Sequence, residues 1–255
     1  MTPLMKISVI TVCRNAQSTI ARTITSFLEQ DHPSKEMIII DGASTDRTMS
    51  IAEAFSAPEI RVLSEPDDGM YDALNKGLSI YDGDAFGVLN ADDAYRDASV
   101  LTRVASALEV DDATHGDLDF RDREGRIVRR WRSRPRPDSG FRSGWMPAHP
   151  TFYVRRSVAD RVGCFDTSMP TAADYEWMLR AIDVHGASLA HIPHVMVDMS
   201  MGGRSTSSIS SHVMHNLEAL TARRRWLNAG VVDWALISKP ASKLSQFARI
   251  GRASR

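Results

Sequence analysis

The feature that most constrains the fold is an alternation of short apolar runs with longer amphipathic segments in the first part of the chain. Runs rich in β-branched residues predict buried strands at residues 5–12, 37–40, 60–64 and 86–89. The segments between them show the apolar spacing of helices, from residue 18, after the turn DGASTDRT, and over residues 71–80. Strands that alternate with helices predict an α/β fold, in which a mostly parallel sheet is flanked by helices on both faces.

Polar residues follow each of these four predicted strands at the point where the strand ends. They occupy residues 14–15, Asp41, residues 65–68 and residues 90–93. Ligands of such α/β sheets bind in the crevice beyond the carboxyl ends of the strands. We therefore expect these polar residues to meet in one ligand-binding crevice.

Two adjacent acids, Asp92 and Asp93, follow the fourth strand in the segment FGVLNADDAY. Neighbouring carboxylates repel each other unless a positive group lies beside them, and oxygen ligands suit Mg²⁺ or Mn²⁺. Because these cations often bridge to phosphate oxygens, a nucleoside diphosphate is the expected ligand. The chain has neither a GxxxxGK[ST] loop nor a GxGxxG after the first strand, which disfavours phosphoryl transfer from ATP and dinucleotide chemistry. An ordinary acidic turn is the alternative interpretation.

Composition argues against several other classes of protein. The 255 residues carry a formal net charge of −1, so no general attraction to nucleic acid is expected. The two cysteines, Cys13 and Cys164, form no disulfide framework and suit a reducing compartment. The chain starts with no basic and apolar leader, and no apolar run reaches about 18 residues. These features predict a cytoplasmic protein.

The middle and the end of the chain depart from the α/β pattern. Residues 109–124 are rich in acids and residues 126–142 in arginine, which predicts a solvated hairpin or loop with paired charges. From residue 211 onward the sequence predicts helices that are basic and contain tryptophan. They would form either an appendage packed on the domain or a peripheral contact with an anionic membrane, at the inner face of the plasma membrane. The predicted boundaries are 1–210 for the α/β domain and 211–255 for the basic helical extension.

The order of the motifs resembles the family 2 glycosyltransferases of the GT-A fold, in particular the bacterial members that build polysaccharides and glycolipids. The resemblance rests on SVITVCRN, DGASTDRT, EPDDGMYDALNKGL, LNADD, GWMPAHPTFYVRRSV, GCFD and AADYEWMLR. It implies a Rossmann-like GT-A domain that moves a sugar from a nucleoside-diphosphate sugar to a saccharide or polyprenyl-linked acceptor. UDP, GDP and dTDP sugars all remain open as donors.

The resemblance also implies roles for individual residues. The nucleotide-sugar pocket would be formed by Thr11, Arg14, Asn15, Asp41, Asp68, Gly69, Asp72, Asn75, Lys76, Asn90, Ala91 and Asp92. Asp92 and Asp93 would hold Mn²⁺ or Mg²⁺, Asp174 would be the catalytic base, and His149 and Trp145 would lie on the acceptor side. Residues 201–206 resemble a mobile loop that closes near the diphosphate.

The mechanism that the resemblance implies is one in-line displacement with inversion. Asp174 would remove the proton of the acceptor hydroxyl as that oxygen attacks the anomeric carbon. The metal would stabilise the charge on the departing nucleoside diphosphate. One position departs from the family pattern, because Asn90 stands where the first aspartate of the DxD motif is usual. Either Asp92 or Asp93 could then be the direct metal ligand.

Two other functions remain open at this point. A nucleotidyltransferase would use a similar crevice and metal, although the chain lacks a basic, glycine-rich triphosphate loop after the first strand. A non-catalytic subunit that binds nucleotide sugars is the second alternative, and Asn90 mildly favours it. Five further histidines show no spacing typical of metal ligands and are interpreted as non-functional: His185, His191, His194, His212 and His215.

Overall fold

The computed structural model describes residues 4–201 and 209–228. Strands and helices alternate in the first part of the chain, as the apolar pattern predicts. Its elements are β1 (Ile7–Cys13), α1 (Ile20–Leu28), β2 (Lys35–Asp41), α2 (Thr48–Glu53), β3 (Ile60–Ser64), α3 (Met70–Ile80) and β4 (Ala85–Val88).

The second part mixes short strands with helices and turns. Its elements are β5 (Ala94–Tyr95), α4 (Val100–Leu108), β6 (Ala113–Arg121), β7 (Ile127–Trp131), β8 (Tyr153–Arg155), α5 (Arg156–Val162), α6 (Ala173–Leu179), β9 (Leu189–Ser200) and α7 (Ile209–Leu227). A single π-helical turn, Arg180–Val184, extends α6. Short 3₁₀ turns at Gly140–Ser143 and His149–Thr151 lie in the loop before β8.

The described strands form one sheet in the order β3-β2-β1-β4-β8-β6-β9-β5, with β7 paired to β6. The strands of the first part are parallel to one another, whereas β8 runs antiparallel to both β4 and β6 and joins the two parts. The predicted α/β fold class, with helices around the sheet, is confirmed. Antiparallel pairing is concentrated in the second part, where hairpins replace the strand-helix alternation.

The apolar residues of the central strands divide between two cores, one on each face of the sheet. Side chains of a strand point alternately to opposite faces, so Ile7 and Val9 pack on one side and Ile10 on the other. On the first side α1 contributes Ile20 and Phe27, which have no exposed surface. Burial on both faces explains why the parallel strands are continuous apolar runs.

The charged middle segment is a hairpin, but its first strand is not solvated. β6 pairs with β9 along its whole length and with β7 antiparallel, so its acids point into the sheet layers. Asp119 is 1% exposed and accepts hydrogen bonds from Arg96 at 2.9 Å and from Arg132 at 2.7 Å. The prediction of paired charges is confirmed, and the prediction of solvation is wrong for β6, because Asp117 and Asp119 are buried beside Arg96 and Arg132.

The first helix of the predicted extension packs on the domain. In α7, Arg223 is 1% exposed and donates to the Tyr175 hydroxyl at 2.8 Å, and the Trp226 indole donates to Glu176 at 2.7 Å. This supports the packed-appendage interpretation for residues 209–228. α7 begins at Ile209, just before the predicted domain boundary at residue 210. The division into two domains stays a prediction. Most of the predicted mobile loop, and residues 229–255, lie outside the described residues.

Candidate active site

The carboxyl ends of β1, β2 and β3 meet at one edge of the sheet, as predicted. The register puts Cys13 opposite Asp41 and Asp41 opposite Ser64. Asp41 is fully buried and accepts hydrogen bonds from the Ser44 amide at 2.9 Å and the Ser64 hydroxyl at 2.7 Å. Burial alone would raise the pKa of Asp41, but the hydrogen bonds from Ser44, Ser64 and Cys13 outweigh it and lower the pKa. Asp41 is therefore a fixed, ionised group at this edge.

The residues after β1 shape the same edge. Asn15 has a φ of 53° and its side-chain oxygen accepts from the Thr45 amide at 2.9 Å, so it holds the turn after β2. Arg14 is exposed beside it, and Thr11 is buried with no hydrogen-bond partner for its hydroxyl within the described part of the chain. Of these three residues, Arg14 is the one that offers a charge to a ligand.

The segment before α3 brings a further acid to this edge. A Cβ on Gly42 would lie 2.2 Å from an Oδ2 atom of Asp67, so the carboxylate of Asp67 covers Gly42. The other oxygen of Asp67 accepts from the amide of Gly69, whose φ is 120°. Asp68 is exposed, and its amide donates to Asp72 in the first turn of α3 at 3.2 Å. Asp67 belongs to residues 65–68, which were expected in the crevice, although the resemblance assigned a role only to Asp68.

Two residues that the resemblance assigns to the nucleotide pocket make contacts within the protein instead. Asn75 donates to the carbonyl of Phe165 at 3.0 Å and accepts from its amide at 2.8 Å, which ties α3 to the loop before α6. Lys76 lies 2.9 Å from Glu65 and 3.7 Å from Asp72. Its positive charge is already balanced by two carboxylates, so a phosphate would have to compete with them.

The adjacent acids after β4 have different environments. Asp93 has no exposed surface, and its two oxygens accept hydrogen bonds from the Ser200 amide and the Asn90 side-chain amide, both at 3.1 Å. Burial, and then the charge of Asp92, raise the pKa of Asp93. Asp92 is only partly buried, and burial raises its pKa as well. Ala91, which lies between Asn90 and Asp92, is 6% exposed. Asp92 is therefore the more accessible of the two acids.

Asp174, in the first turn of α6, lies between groups from two distant parts of the chain. The hydroxyl of Tyr71 on α3 donates to one of its oxygens at 3.0 Å. The Nδ1 atom of His149 lies 3.5 Å from the other oxygen. Burial lowers the pKa of His149, despite the opposing effect of Asp174, so the imidazole is neutral at neutral pH. The arrangement leaves an oriented carboxylate at the mouth of a pocket.

This pocket brings together Asn90, His149 and Asp174, three of the predicted site residues. Its other lining residues are apolar or aromatic: Met70, Tyr71, Leu74, Phe86, Val88, Phe152, Phe165, Trp177 and Met178. A mainly apolar cleft with a few converging polar groups is typical of small-molecule sites. Among the described residues that line it, Asp174 is the single acid.

Trp145 lies on the loop that leads to His149. Its indole nitrogen donates to the carbonyl of Arg134 at 3.3 Å, and its ring packs edge-on against Phe141 at 5.6 Å. The ring is partly buried, with His115 on its other side at 5.8 Å. Trp145 therefore borders the pocket region through its loop and does not line the pocket itself.

Three contacts that shape the site were missed by sequence reasoning. Tyr71 is inside the motif DDGMYDALNKG, but its partner Asp174 is 103 positions away, so only the fold reveals the pair. Ser200, at the end of β9, holds Asp93 through its amide, and an amide carries no sequence signal. The contact of Asp67 with Gly42 is the third.

Two general properties of the described chain bear on the predicted partners. Within residues 4–201 and 209–228, no three histidine, cysteine or acidic side chains are grouped so that they could enclose a metal ion. In the same ranges, every helix is too short or too polar to cross a bilayer.

Comparison with known proteins gives a family match and similar chains. Residues 8–169 match the family model described as "Glycosyl transferase family 2". A "PGL/p-HBAD biosynthesis glycosyltransferase" from Mycobacterium bovis is 25% identical over 222 residues, which is 84% of each chain.

Two solved structures share the architecture. S. aureus TarS 1–349 in complex with UDP-GlcNAc has a TM-score of 0.65 and 17% identity, over 91% of this chain and 69% of that one. The mannosyltransferase PcManGT from Pyrobaculum calidifontis, in complex with GDP-Man and Mn²⁺, has a TM-score of 0.61 and 18% identity, over 96% and 81%. At these identities the likeness concerns the fold.

Proposed function

The chain belongs to glycosyl transferase family 2 and is a glycosyltransferase, and on this premise we propose that it moves a sugar from a nucleoside-diphosphate sugar to a hydroxyl group of a saccharide or lipid-linked acceptor, with inversion. The observation that carries the proposal is the pocket beyond β4, where Asn90, His149 and Asp174 converge. The relative in Mycobacterium bovis is a glycosyltransferase of PGL/p-HBAD biosynthesis, which supports an acceptor in the synthesis of cell-surface glycans or glycolipids.

Asp174 is the proposed catalytic base. The Tyr71 hydroxyl donates to one oxygen at 3.0 Å, and the second oxygen has only the longer contact with His149 at 3.5 Å, so an acceptor hydroxyl can approach it. As the acceptor oxygen bonds to the anomeric carbon, its proton passes to Asp174 and the bond from that carbon to the diphosphate oxygen breaks. A double displacement would need a carboxylate nucleophile as well as the base. Since Asp174 is the single acid among the described lining residues, one inverting step is favoured.

Asp92 fits the role of metal ligand better than Asp93. Both oxygens of Asp93 accept hydrogen bonds from the protein, whereas Asp92 is partly exposed next to the pocket residue Asn90. Mg²⁺ and Mn²⁺ are commonly held by one or two carboxylates together with water and substrate phosphates, so a complete protein cage is not required. When bound, such a cation would stabilise negative charge on the departing diphosphate as a Lewis acid.

The donor is proposed to bind along the carboxyl edge of β1 to β4. Arg14 offers a cation there and Asp67 offers a carboxylate to hydroxyl or amide donors of a nucleoside, while the buried Asp41 holds Ser44 and Ser64 in place. The two similar folds are solved with a UDP sugar and a GDP sugar. Both nucleotides are therefore primary candidates for this chain.

Thermal-shift measurements with UDP, GDP, dTDP and CMP, each with and without Mn²⁺, test the donor and the metal. Stabilisation by one nucleoside diphosphate that requires Mn²⁺ is expected, because a ligand at a hundredfold excess over its Kd adds about 2.7 kcal/mol to the unfolding free energy. Asp92→Asn should abolish the Mn²⁺-dependent part of this stabilisation, because the proposed metal ligand is lost. A folded protein that responds to none of the four nucleotides would contradict the proposed donor site.

Asp174→Asn tests catalysis separately. Transfer should fall about 10²- to 10⁴-fold, while the nucleotide-dependent thermal shift stays unchanged. Asp160→Asn, at an exposed acid on α5, is the matched control and should be fully active. Release of pyrophosphate in place of a nucleoside diphosphate would identify a nucleotidyltransferase. No turnover in either the wild type or Asp174→Asn would favour a non-catalytic binding subunit. Equal turnover in both proteins would mean that another residue is the base.

A further inference from the structure

Four polar side chains lie together beneath Trp145, outside the pocket that contains Asp174. His115 and Asp117 belong to β6, His191 lies opposite His115 on β9, and the Ser133 amide donates to Asp117 at 2.8 Å. The rings of His115 and His191 are 5.1 Å apart, and Trp145 packs edge-on to His115 at 5.8 Å. We call His115, Asp117, Ser133 and His191 the histidine cluster.

The histidine cluster contains most of the unsatisfied buried polar atoms of the described chain. Both ring nitrogens of His115 and the hydroxyl of Ser133 are buried without a hydrogen-bond partner, and the buried Nε2 of His191 has only a loose contact with an oxygen of Asp117, at 3.7 Å. These four are among seven side-chain atoms of the described residues that have no partner within hydrogen-bond distance. His115 has no exposed surface. Leaving buried polar groups unpaired costs folding free energy, so a native protein that keeps four of them in one place usually satisfies them with a ligand or water.

The chemistry of the histidine cluster fits an uncharged ligand with several hydroxyl groups. Burial lowers the pKa of His115 to about 3, so its imidazole is neutral and can both donate and accept hydrogen bonds. The carboxylate of Asp117 lies 3.5 Å from the Nε of Arg132, which balances its charge. The histidine cluster contains no unpaired positive charge that could attract a phosphate. Among the described residues, no three histidine, cysteine or acidic side chains are close enough to bind a metal ion together, which argues against a cation site here.

The position of the histidine cluster places it on the acceptor side of the site. The Thr151 hydroxyl accepts from the amide of Gly116, next to His115, at 3.1 Å. Thr151 ends the 3₁₀ turn that begins with His149, whose imidazole lies 3.5 Å from Asp174. The donor edge around Asp41 is formed by strands on the opposite side of β4. A sugar chain that presents one hydroxyl to Asp174 could therefore extend toward the histidine cluster.

We propose, on the basis of the proposed function, that the histidine cluster is a subsite for a neutral sugar unit of the acceptor, adjacent to the unit that receives the transferred sugar. His115, His191 and Ser133 form hydrogen bonds to its hydroxyl groups. Trp145 packs on the apolar face of the ring. Because His115 is closed off, the loop of Trp145 shifts to admit the sugar. The Trp145 side chain makes one hydrogen bond, of 3.3 Å, and follows Gly144, whose φ is 78°.

Acceptors of two lengths test this subsite. Wild type and variants are assayed with the p-nitrophenyl glycosides of common neutral monosaccharides and with the matching disaccharides, using the donor that thermal shift identifies. His115→Phe and Ser133→Ala should raise the KM for disaccharide acceptors about three- to tenfold, as expected for one lost neutral hydrogen bond. The KM for the donor and the KM for monosaccharide acceptors should not change.

Stability measurements on the same variants separate binding from a structural role. Since each variant removes an unsatisfied buried atom, its Tm should equal or exceed that of the wild type. His194→Phe is the matched control, because His194 also lies on β9 but bonds to Asp97 at 2.8 Å away from the histidine cluster. It should leave both acceptor KM values unchanged.

Several outcomes would overturn the subsite. An unchanged disaccharide KM in both variants would show that the unsatisfied atoms are served by water alone. A wild-type enzyme that uses no neutral glycoside, or that gains nothing from the second sugar unit, would exclude the proposed ligand class. Failure of the proposed function looks different, since then no nucleoside diphosphate would be released with any donor and acceptor.

Discussion

Single atoms position the proposed base, and the Tyr71 hydroxyl is the clearest example. We predict that Tyr71→Phe lowers kcat by about tenfold with little change in the KM for the donor, because a misoriented base affects the transition state more than binding. Steady-state kinetics with separate kcat and KM values check this. Tyr81→Phe is the matched control, since the buried Tyr81 hydroxyl has no partner among the described residues. A parallel loss in both variants would mean that Tyr71 acts only through packing.

The buried acid Asp93 makes a prediction about pH. Its pKa is raised above the unfolded value of about 3.9, so the folded state keeps a proton that the unfolded state loses. The resulting stability is present at acidic pH and is lost as the pH rises through the raised pKa. We expect Asp93→Asn to increase Tm, relative to wild type, more at about pH 9 than at about pH 5. Melting curves in a chelator measure this.

Asp97 is the control for that experiment, because its pKa is shifted in the opposite direction and its effect on stability has the opposite pH dependence. Burial would raise the pKa of Asp97, but hydrogen bonds from Ser99 and His194 outweigh it and lower the pKa. Its stabilising effect is therefore present above the unfolded pKa and lost in acid. Asp97→Asn should lower Tm at neutral pH. If Asp93→Asn instead gives the same Tm difference at both pH values, Asp93 is ionised in the folded state across that range.

At the scale of elements, the contact between α3 and β1 decides where Tyr71 lies. Gly77 is buried in the middle of α3, and a Cβ there would lie 2.6 Å from a methyl carbon of Ile10. Glycine usually weakens a helix interior, so its presence indicates that the close approach is needed. We predict that Gly77→Ala lowers the unfolding free energy by about 1–3 kcal/mol through overpacking. Denaturant unfolding measures the change.

An exposed position on the same helix is the control for Gly77. Ser79 is exposed on α3, so Ser79→Ala should be neutral or slightly stabilising through helix propensity. A Gly77→Ala protein as stable as the wild type would show that Ile10 can move aside. The tight approach of α3 to the sheet would then be unnecessary for placing Tyr71.

Elements with strong periodicity could be predicted from the sequence, and those defined by partners could not. The strands β1 to β4 and the apolar face of α1 follow directly from β-branched runs and from Ile20, Ile24 and Phe27. β8 has three residues in a segment where a strand is expected, but its antiparallel place between β4 and β6 has no signal in the local sequence. The solvated hairpin was wrong because the pairing of β6 with β9 is invisible in local charge.

The candidate site divides in the same way. Asp174, His149 and Asn90 could be placed in one pocket from motif order. The unequal roles of Asp92 and Asp93 could not, because they depend on the amide of Ser200, which arrives from the far end of β9. Asn75 matches its motif, yet its side chain is occupied by Phe165 in the structure. Its assignment to the nucleotide pocket stays a prediction that this contact weakens.

At the scale of the whole molecule, the predicted membrane contact would depend mainly on charges beyond α7. Arg223 is buried and Arg225 is paired with Asp166 at 2.9 Å, so these two charges are used within the protein. Residues 229–255, outside the described ranges, carry five basic residues and one acid: Lys239, Lys243, Arg249, Arg252, Arg255 and Asp233. Each basic residue near an anionic surface contributes about 1 kcal/mol.

We predict that deletion of residues 229–255 abolishes sedimentation with anionic vesicles and leaves Tm close to that of the full chain. High salt should release the full-length protein, because charge interactions with the surface are screened. A full-length variant with the five basic residues replaced by glutamine separates charge from length. Equal sedimentation of deleted and full-length protein would remove the tail from any role at membranes.

The antiparallel entry of β8 between β4 and β6 has a consequence for how such enzymes can diversify. The proposed donor edge and the proposed acceptor side belong to consecutive stretches of one gene, which meet at this strand. Recombination between α4 and β6 would exchange acceptor preference while the nucleotide preference is inherited unchanged. A viable hybrid has to keep the β4–β8 pairing, the bonds of Asn75 to Phe165 and the hydroxyl of Tyr71 on Asp174. It also has to keep the pairing of β5 with β9, the bonds of Arg96 to Asp119 and Asp198, and the bonds of Arg156 to the backbone of Tyr81 and Gly83.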